Sequence, residues 1–262
     1  MIKFDRIKSL YMTFQKRVQK ILDLLETYGE VEIRQLATGI GVSEVTIRRD
    51  LANMASNGLL YRTHGGAMKI SDVIKPVSFV SKAEVNLKAK EAICKRAAAD
   101  IIDGDVIFMD CGSTAFRLCQ FIKNKDIKII TNSLPIVNEL QGSAVTINLI
   151  GGEVDITRQA VHGTMALEHI SRYHASKAFL GIDGITAEGL YAGSESEASN
   201  TLAMAAQAGR TYLLCDATKI GKTSYLKFND LSLVDILITD YNGSEVNKFE
   251  SKGISVYSVT GS

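Results

Sequence analysis

The sequence has little of several residue types and contains no long apolar segment. Its 262 residues include two prolines, four cysteines and no tryptophan. The cysteines form no CxxC pair, and no apolar run reaches the ~20 residues that a membrane-spanning helix requires. Its start shows no signal-peptide pattern. We therefore expect a reduced, cytoplasmic protein that is not inserted in a membrane.

The chain also lacks a large excess of charge of either sign. Its 30 Lys and Arg residues face 29 Asp and Glu residues, and 46% of the chain is hydrophobic, which is enough for a sizeable core. A global balance can hide a local surplus: residues 1–70 contain 11 basic and 7 acidic side chains. Helical periodicity is strong in this basic region, whereas from about residue 103 short β-rich segments alternate with helical ones. This change of pattern predicts two domains.

The predicted first domain extends over residues 14–70 and the second over residues 83–262. Residues 71–82 contain Pro76 and show no clear period, which predicts a linker. Residues 1–13 match no motif and are assigned no function. The predicted fold is α/β overall, with a small helical domain at the N-terminal end.

Three short helices account for the pattern of the first domain. Apolar spacing predicts helices over about residues 14–28 and 33–40. Gly41 then opens a tight turn, and Ser43 is a natural N-cap for a third helix, over about residues 44–56. This order is that of a helix-turn-helix.

The third helix has one apolar face and one basic face. Ile47, Leu51 and Met54 recur at helical spacing, which predicts that they are buried. The opposite face presents Val45, Thr46, Arg48, Arg49 and Ala52. Adjacent arginines beside small or hydroxyl side chains suit the DNA major groove, where arginine pairs with guanine or phosphate. A solvated arginine face is the alternative.

A short alternating segment with two glycines follows this helix. Residues 58–67 read GLLYRTHGGA, which is typical of a β-hairpin. A hairpin beside the third helix would be the wing of a winged helix, and it would carry Arg62 and His64 to DNA. A plain turn with His64 on an inert surface is the other possibility.

These motifs carry a resemblance to a known family. TIRRDL at residues 46–51 and RxHGGA at residues 62–67 resemble the winged helix-turn-helix of GlpR-like members of the DeoR family of bacterial transcriptional regulators, over about residues 15–68. The resemblance implies sequence-specific binding of double-stranded operator DNA, usually by a repressor of carbon-utilisation genes. The predicted DNA-binding residues are Ser43, Val45, Thr46, Arg48, Arg49, Arg62 and His64.

In the second domain, an apolar strand ends at a candidate phosphate loop. The strand over residues 105–110 leads into Cys111-Gly112-Ser113-Thr114 and then into a helix that carries Phe116, Leu118 and Phe121. Backbone N–H groups and two hydroxyls would gather at this helix N-terminus and suit a phosphate. Ordinary capping of the helix by Ser and Thr would explain the same residues.

Later strands also end in polar or glycine residues. These residues are Asn132, Ser133, Gly152, Asp183, Asp216 and Lys219. Because ligands bind beyond the carboxyl ends of the strands in open α/β sheets, we expect the loops to converge on one cleft. A small phosphorylated polyol fits this chemistry: Lys219 would neutralise the phosphate, and Asp110 or Asp183 would accept hydrogen bonds from sugar hydroxyls.

The resemblance to the DeoR family extends over about residues 79–256. The segments at residues 90–93, 110–114, 131–133, 150–152, 181–184 and 216–221 resemble the DeoR effector domain, which is similar in fold to ribose-5-phosphate isomerase and binds a sugar phosphate that lowers DNA affinity. The effector-binding residues predicted on this basis are Asp110, Gly112, Ser113, Thr114, Asn132, Ser133, Gly152, Asp183, Glu197 and Lys219. The chain departs from many relatives at Gly193-Ser194 and at residues 199–202, so the identity of the sugar stays open.

An isomerase or deaminase is the main alternative, because Asp183 and Glu197 could act as acid and base. A fused DNA-binding module argues against catalysis, and we expect no enzyme activity. His162, His169 and His174 lack the spacing of metal ligands, so we expect no metal and no cofactor. Because one winged helix reads only a few base pairs, we expect a homodimer or homotetramer.

Overall fold

The computed structural model of the protein describes residues 13–56, 59–63, 65–68 and 79–259. His64 and residues 71–78 of the predicted linker lie outside these ranges. The chain divides into two compact units, one ending at Lys75 and the other beginning at Pro76. Within the described ranges, no helix has the length and hydropathy that crossing a lipid bilayer requires.

The first unit combines three helices with a small antiparallel sheet. Its elements are α1 (Phe14–Tyr28), β1 (Glu30–Glu32), α2 (Ile33–Ile40), α3 (Glu44–Ser56), β2 (Tyr61–Arg62) and β3 (Gly66–Met68). The strand order is β1-β3-β2. The three predicted helices and the hairpin are confirmed. Strand β1 escapes prediction because three residues are too few to show a period.

One apolar cluster holds the first unit together. Ile47, Leu51 and Met54 of α3 are fully buried, as their spacing predicts, and they pack with residues of α1 and α2. Next to them, Asp50 is 2% exposed and lies 2.6 Å from the Nε atom of Arg17. This ion pair fastens α3 to α1, so the opposite face of α3 stays free to project outward.

The second unit is an α/β domain. Its strands are β4 (Val106–Met109), β5 (Lys128–Thr131), β6 (Thr146–Leu149), β7 (Glu153–Asp155), β8 (Ala160–His162), β9 (Lys177–Leu180), β10 (Gly184–Thr186), β11 (Gly189–Ala192), β12 (Thr211–Leu214), β13 (Leu226–Asn229), β14 (Ile236–Thr239) and β15 (Ser255–Ser258). Seven of them form a parallel sheet in the order β15-β14-β12-β9-β4-β5-β6. Strands β10, β11 and β13 form a separate antiparallel sheet, and β7 pairs with β8.

Helices connect and cover these strands. They are α4 (Phe79–Glu84), α5 (Leu87–Ala98), α6 (Ser113–Phe116), α7 (Cys119–Ile122), α8 (Leu134–Glu139), α9 (Thr164–Ser171), α10 (Glu195–Ala206) and α11 (Glu245–Glu250). Successive residues of the parallel strands point to opposite faces: Ile107 and Met109 join one apolar cluster, whereas Phe108 joins the other. The parallel sheet is therefore buried on both faces, as parallel sheets generally are.

Two predictions about this unit need correction. The predicted linker ended at residue 82, but α4 begins at Phe79, whose ring is buried against the ring of Phe116 at 5.3 Å. The helix predicted after Gly112 is two four-residue helices, α6 and α7. Asn86, with a left-handed φ of 56°, separates α4 from α5.

The sheet order places a switch point between β4 and β9. From β4 the chain adds β5 and β6 on one side, and it then crosses to β9 on the other side. Loops that leave the carboxyl ends of two such strands run in opposite directions and open a crevice between them. The loops that begin at Asp110 and Gly181 both start at this crevice.

Candidate functional site

The exposed face of α3 is the candidate DNA interface. Val45 is 76% exposed, and Ser43, Arg48 and Arg49 are exposed as well, whereas Thr46 is half-buried. The Ser43 Oγ atom accepts a hydrogen bond from the Thr46 N–H at 3.2 Å, which confirms Ser43 as the N-cap. The polar face of α3 thus has the composition expected of a helix that reads a groove.

The two arginines of this face differ in their surroundings. The Nη2 atom of Arg48 lies 3.3 Å from Oε2 of Glu44, and the other carboxylate oxygen of Glu44 lies 3.7 Å from the Nε atom of Arg34 in α2. Arg49 forms no salt bridge with any described residue. Both guanidinium groups are accessible to a phosphate or a base edge. Of the two, Arg48 has a carboxylate partner among the described residues, and it must leave that partner to contact DNA.

The predicted wing is a two-stranded hairpin whose strand β3 pairs with β1. Arg62 is exposed at the end of β2, and His64 falls outside the described residues. A Cβ atom at Gly66 would overlap the backbone carbonyl of Val31 in β1, whereas one at Gly65 would meet nothing within 4 Å. The two glycines therefore differ: Gly66 permits close packing of backbones, and Gly65 leaves the turn open.

The candidate effector site is a cleft at the switch point of the parallel sheet. It encloses about 700 Å³, part of it open to solvent. Gly112 and Gly181 bring their backbones together at its base, since a Cβ atom at Gly112 would lie 3.3 Å from the Gly181 Cα. Eight of the ten predicted effector residues line this cleft: Asp110, Gly112, Ser113, Thr114, Asn132, Asp183, Glu197 and Lys219.

The other two predicted residues lie elsewhere. Ser133 is fully buried, and its Oγ atom accepts a hydrogen bond from the Ile136 N–H, so it caps α8. Gly152 has a φ of 149°, and a Cβ atom there would lie 2.6 Å from the His162 carbonyl oxygen. Both residues are explained by local backbone geometry, which produces the same polar or glycine signal after a strand as a binding loop does.

The contacts of Asp110 differ from the predicted hydrogen bond with a sugar hydroxyl. Its Oδ1 accepts a hydrogen bond from the Gly112 N–H at 2.8 Å, and its Oδ2 accepts one from the Gly181 N–H at 2.6 Å. Burial raises the pKa of this carboxyl group, although the two backbone N–H groups act in the opposite direction. Asp110 therefore braces the two loops of the cleft, and both of its oxygens already have partners.

Sequence reasoning missed two cations of the cleft, Lys82 and Arg158. The Lys82 Nζ atom lies 2.6 Å from Oδ1 of Asp183, and Arg158 forms an ion pair with Glu197. Lys82 falls in the predicted linker, and Arg158 lies in the turn between β7 and β8, so neither follows a recognisable strand end. Asn200 and Thr201 also line the cleft.

The remaining cation, Lys219, has a different environment. It is half-buried and forms no salt bridge with the described residues. Behind it, Lys90 is 3% exposed and its Nζ atom lies 3.2 Å from the Ser113 Oγ atom. Burial, together with the positive charge of Lys219, lowers the pKa of Lys90 to about 8. The two lysines beside Ser113 therefore form no salt bridge with the described residues, although the buried carboxylate of Asp216 attracts both of them.

Comparison with known proteins gives matches over both units. A family model described as the DeoR C terminal sensor domain matches residues 85–241, and one described as a DeoR-like helix-turn-helix domain matches residues 17–73. The chain is 32% identical to an uncharacterized HTH-type transcriptional regulator, FruR, of Bacillus subtilis (strain 168), over 93% of this chain and 98% of that protein. It is 34% identical to the lactose phosphotransferase system repressor of Lactococcus lactis subsp. lactis, over 87% of this chain and 92% of that protein.

A solved structure also matches part of the chain. Ribose 5-phosphate isomerase A from Methanocaldococcus jannaschii aligns with a TM-score of 0.38 and 18% identity, over 52% of this chain and 55% of that chain. The two family models and the relatives agree with the helix-turn-helix and with the α/β unit described above. The chain thus belongs to the DeoR family of helix-turn-helix transcriptional regulators.

Proposed function

We propose that this regulator represses genes of carbohydrate use and that a phosphorylated sugar, bound in the cleft between β4 and β9, releases it from its operator. The observation that carries the proposal is the pair of lysines beside Ser113, Lys219 and Lys90, neither of which forms a salt bridge with a described residue. Lys219 has no carboxylate within salt-bridge distance among the described residues, and a second lysine lies buried behind Ser113. A dianionic phosphate is the ligand group that such an environment favours.

The phosphate would be held by side chains and backbone together. Lys219 supplies a charge, and Ser113 supplies a hydroxyl group. The first N–H groups of a helix have no partner within the helix, so those that follow Gly112 are available as well. Because α6 has only four residues, its helix dipole is small, and we assign most of the affinity to Lys219.

The opposite end of the cleft suits a polyol. Asp183 and Glu197 present carboxylates that are paired with Lys82 and Arg158. The buried side-chain oxygen of Asn200 has no hydrogen-bond partner among the described residues, and neither has that of Thr114, which lies beside Ser113 in the proposed phosphate loop. Such groups are rarely left unsatisfied, and the hydroxyl groups of a sugar would provide donors for them.

The DNA half of the proposal assigns the operator contacts to the exposed face of α3 and to the wing. Ser43, Val45, Thr46, Arg48, Arg49, Arg62 and His64 are the proposed contacts. The repressor of the lactose phosphotransferase system among its relatives supports repression and a link to sugars. We further propose a homodimer or homotetramer, because one winged helix reads too few base pairs, and a cytoplasmic location, where a bacterial operator lies.

We propose that the cleft binds the sugar phosphate without converting it. Asp110 is the most deeply buried carboxyl group of the cleft and is hydrogen-bonded to two backbone N–H groups. Asp183 and Glu197 are each held in an ion pair, which favours their charged forms. The ion pairs leave neither Asp183 nor Glu197 prepared to donate a proton at neutral pH, and both oxygens of Asp110 already accept hydrogen bonds from the backbone.

The test measures operator affinity with and without sugar phosphates. DNA ligands selected from a random pool provide the operator, and fluorescence anisotropy gives its affinity for the full chain. We expect one sugar phosphate to weaken wild-type binding by roughly 5- to 150-fold, the usual range of allosteric coupling. The Ser113→Ala, Lys219→Ala double variant should bind the operator normally and fail to respond, whereas the control Lys222→Ala, at an exposed lysine three residues further on, should respond fully.

Two results would contradict the proposal in different ways. A double variant that responds as strongly as the wild type would place the effector elsewhere. Arg49→Ala should weaken operator binding, because Arg49 is exposed and forms no salt bridge with the described residues. Unchanged affinity in both Arg48→Ala and Arg49→Ala would remove α3 from the DNA interface.

A further inference from the structure

Helix α4 is the first described element after the boundary between the two units, and it forms part of the effector cleft. Phe79 and Lys82 both line that cleft. The ammonium group of Lys82 reaches Asp183 at 2.6 Å, and the two side chains are 25% and 20% exposed. The segment that continues the linker is thus in direct contact with the site of the proposed ligand.

The other contacts of α4 lead to the same cleft. The carbonyl oxygen of Lys82 accepts a hydrogen bond from Lys90 Nζ at 2.5 Å, and this Nζ atom also donates to Ser113 Oγ. The carbonyl oxygen of Ala83 accepts one from Arg117 Nη2 at 2.9 Å. The ring of Phe79 packs edge-on against the ring of Phe116. Helix α4 is therefore fastened to the loop and helix that begin at Gly112.

The ion pair between Lys82 and Asp183 lies near two other cations, so a bound anion can compete with Asp183 for Lys82. Arg158 and Lys219 are close enough to lower the pKa of Lys82, in addition to the larger effect of burial, while Asp183 raises it. Three cations thus surround the cleft, and Asp183 is the carboxylate that holds Lys82. An anion placed among these cations attracts the Lys82 ammonium group away from Asp183, and hydroxyl groups of the same ligand can replace it there.

We infer that Lys82 is a further effector-binding residue and that it transmits occupancy of the cleft to the linker through α4. The inference rests on the proposed function, since it takes an anionic sugar as the ligand. An effector changes DNA affinity only if it interacts differently with the two states of the protein. The change of partner at Lys82 supplies such a difference at the point where the second unit continues into the linker.

The experiment uses the full chain with Lys82→Gln, Lys82→Arg and the control Lys88→Gln, which removes an exposed lysine of α5. The probes are inorganic phosphate, glucose 6-phosphate, fructose 1-phosphate and ribose 5-phosphate. Calorimetry gives the affinity for each probe, and operator affinity is measured without probe and at a saturating concentration. We expect Lys82→Gln to bind the effective probe more weakly. Even at saturation, the factor by which the probe weakens operator binding should be at least about fivefold smaller than in the wild type. Lys82→Arg should retain most of the release, and Lys88→Gln all of it.

Saturation separates transmission from simple binding. If Lys82→Gln releases the operator fully once it is saturated, Lys82 contributes only to affinity and the transmission is refuted. If the affinity for the probe is also unchanged, Lys82 is not an effector-binding residue at all. Either result leaves the proposed function intact, because the wild type still responds.

Hydrogen exchange provides a readout that does not depend on the identity of the effector. Amide protons of residues 79–84 should exchange faster in Lys82→Gln than in the wild type without any probe, because the tie to Asp183 is absent. If no probe binds the wild type, the proposed function fails by itself. Equal exchange in the two proteins would then overturn the part assigned to Lys82, and faster exchange in Lys82→Gln would retain Lys82 as the residue that fastens α4 to the cleft.

Discussion

Lys90 is a buried lysine beneath the loop that follows β4. It donates hydrogen bonds to the Lys82 carbonyl oxygen and to Ser113 Oγ, and its pKa falls to about 8 because burial and the charge of Lys219 disfavour its protonated form. A single side chain thus contacts α4 and the proposed phosphate loop. Its charge at neutral pH contributes to the attraction of an anion, although no carboxylate forms a salt bridge with it among the described residues.

This position predicts a pH dependence of effector affinity. A bound anion favours protonated Lys90, so the charge contributes fully below pH 8 and is lost as pH rises through about 8. The phosphate monoester is already mostly dianionic in this range, since its second pKa is about 6, and it cannot cause the loss. We therefore expect the affinity of the full chain for its sugar phosphate, measured by calorimetry, to be nearly constant near pH 7 and to fall above pH 8.

Substitution of Lys90 distinguishes the effect of its titration from that of other titrating groups. Lys90→Met keeps the length of the side chain and removes the charge, so its affinity should be lower at pH 7 and flat between pH 7 and pH 9. The exposed Lys95 of α5 provides the control, and Lys95→Met should follow the wild type. A wild-type affinity that does not change through pH 8 would show that the charge of Lys90 does not act on the ligand.

At the scale of elements, the wing depends on a close approach between β1 and β3. Gly66 pairs with Glu32, and a Cβ atom at Gly66 would overlap the Val31 carbonyl oxygen. The sheet is small, with three strands of two or three residues each. It therefore has little capacity to adjust to an added side chain.

This geometry predicts opposite effects for two adjacent glycines. Gly66→Ala should displace β1 or the hairpin, lower the free energy of unfolding of the first unit by about 1–3 kcal/mol as overpacking does, and weaken operator binding. Gly65→Ala, with open space around its Cβ atom, should change neither property appreciably. Chemical denaturation and anisotropy on the same operator measure both, and equal behaviour of the two variants would refute the packing argument.

The elements that the sequence predicts are those whose pattern is local. Helices α1 to α3 each bury one apolar face, and that face repeats often enough to fix their bounds. Strand β4 is a short apolar segment followed by a polar loop, and its position in a parallel sheet makes Asp110 and Ser113 part of a cleft. These predictions need no knowledge of partners elsewhere in the chain.

The elements that escape prediction depend on distant partners. Helix α4 has six residues, and it is held by Phe116, Arg117, Lys90 and Asp183, none of which its own sequence indicates. Arg158 enters the cleft because β7 pairs with β8, which are three residues each. Ser133 and Gly152 are the opposite case, because the sequence predicts that they bind the effector and the structure places them outside the cleft. Capping of α8 by Ser133 and the close backbone contact at Gly152 produce the same local pattern as a ligand-binding loop.

At the scale of the whole molecule, the two units have separate cores. The apolar cluster of the first unit draws on residues between 18 and 67. The buried residues of one cluster of the second unit begin at Ile93 and those of the other at Phe108, and the two clusters cover the two faces of the parallel sheet. Among the described residues, each of these clusters consists of residues of one unit, and the boundary between the units falls between Lys75 and Pro76.

Separate cores predict that the functions of the two units separate as well. The fragment Pro76–Ser262 should fold, bind the same sugar phosphate as the full chain with similar affinity, and self-associate, since the regulator needs more than one winged helix to read an operator. The fragment 1–75 should bind operator DNA more weakly than the full chain and should ignore the sugar phosphate. Calorimetry, analytical ultracentrifugation and anisotropy measure these properties.

The same fragment decides between a sensor and an enzyme. Asp110 already has partners for both carboxylate oxygens, and Asp183 and Glu197 are held in ion pairs, so Pro76–Ser262 should bind sugar phosphates and leave them unchanged. Nuclear magnetic resonance spectra of each sugar phosphate, recorded over hours with the fragment present, would reveal isomerisation or deamination. Turnover on the order of 1 per second, a rate typical of enzymes, would make the cleft an active site and would leave its coupling to DNA unexplained. Binding without turnover, together with self-association, is the result expected of a sensor whose ligand energy is used to change DNA affinity.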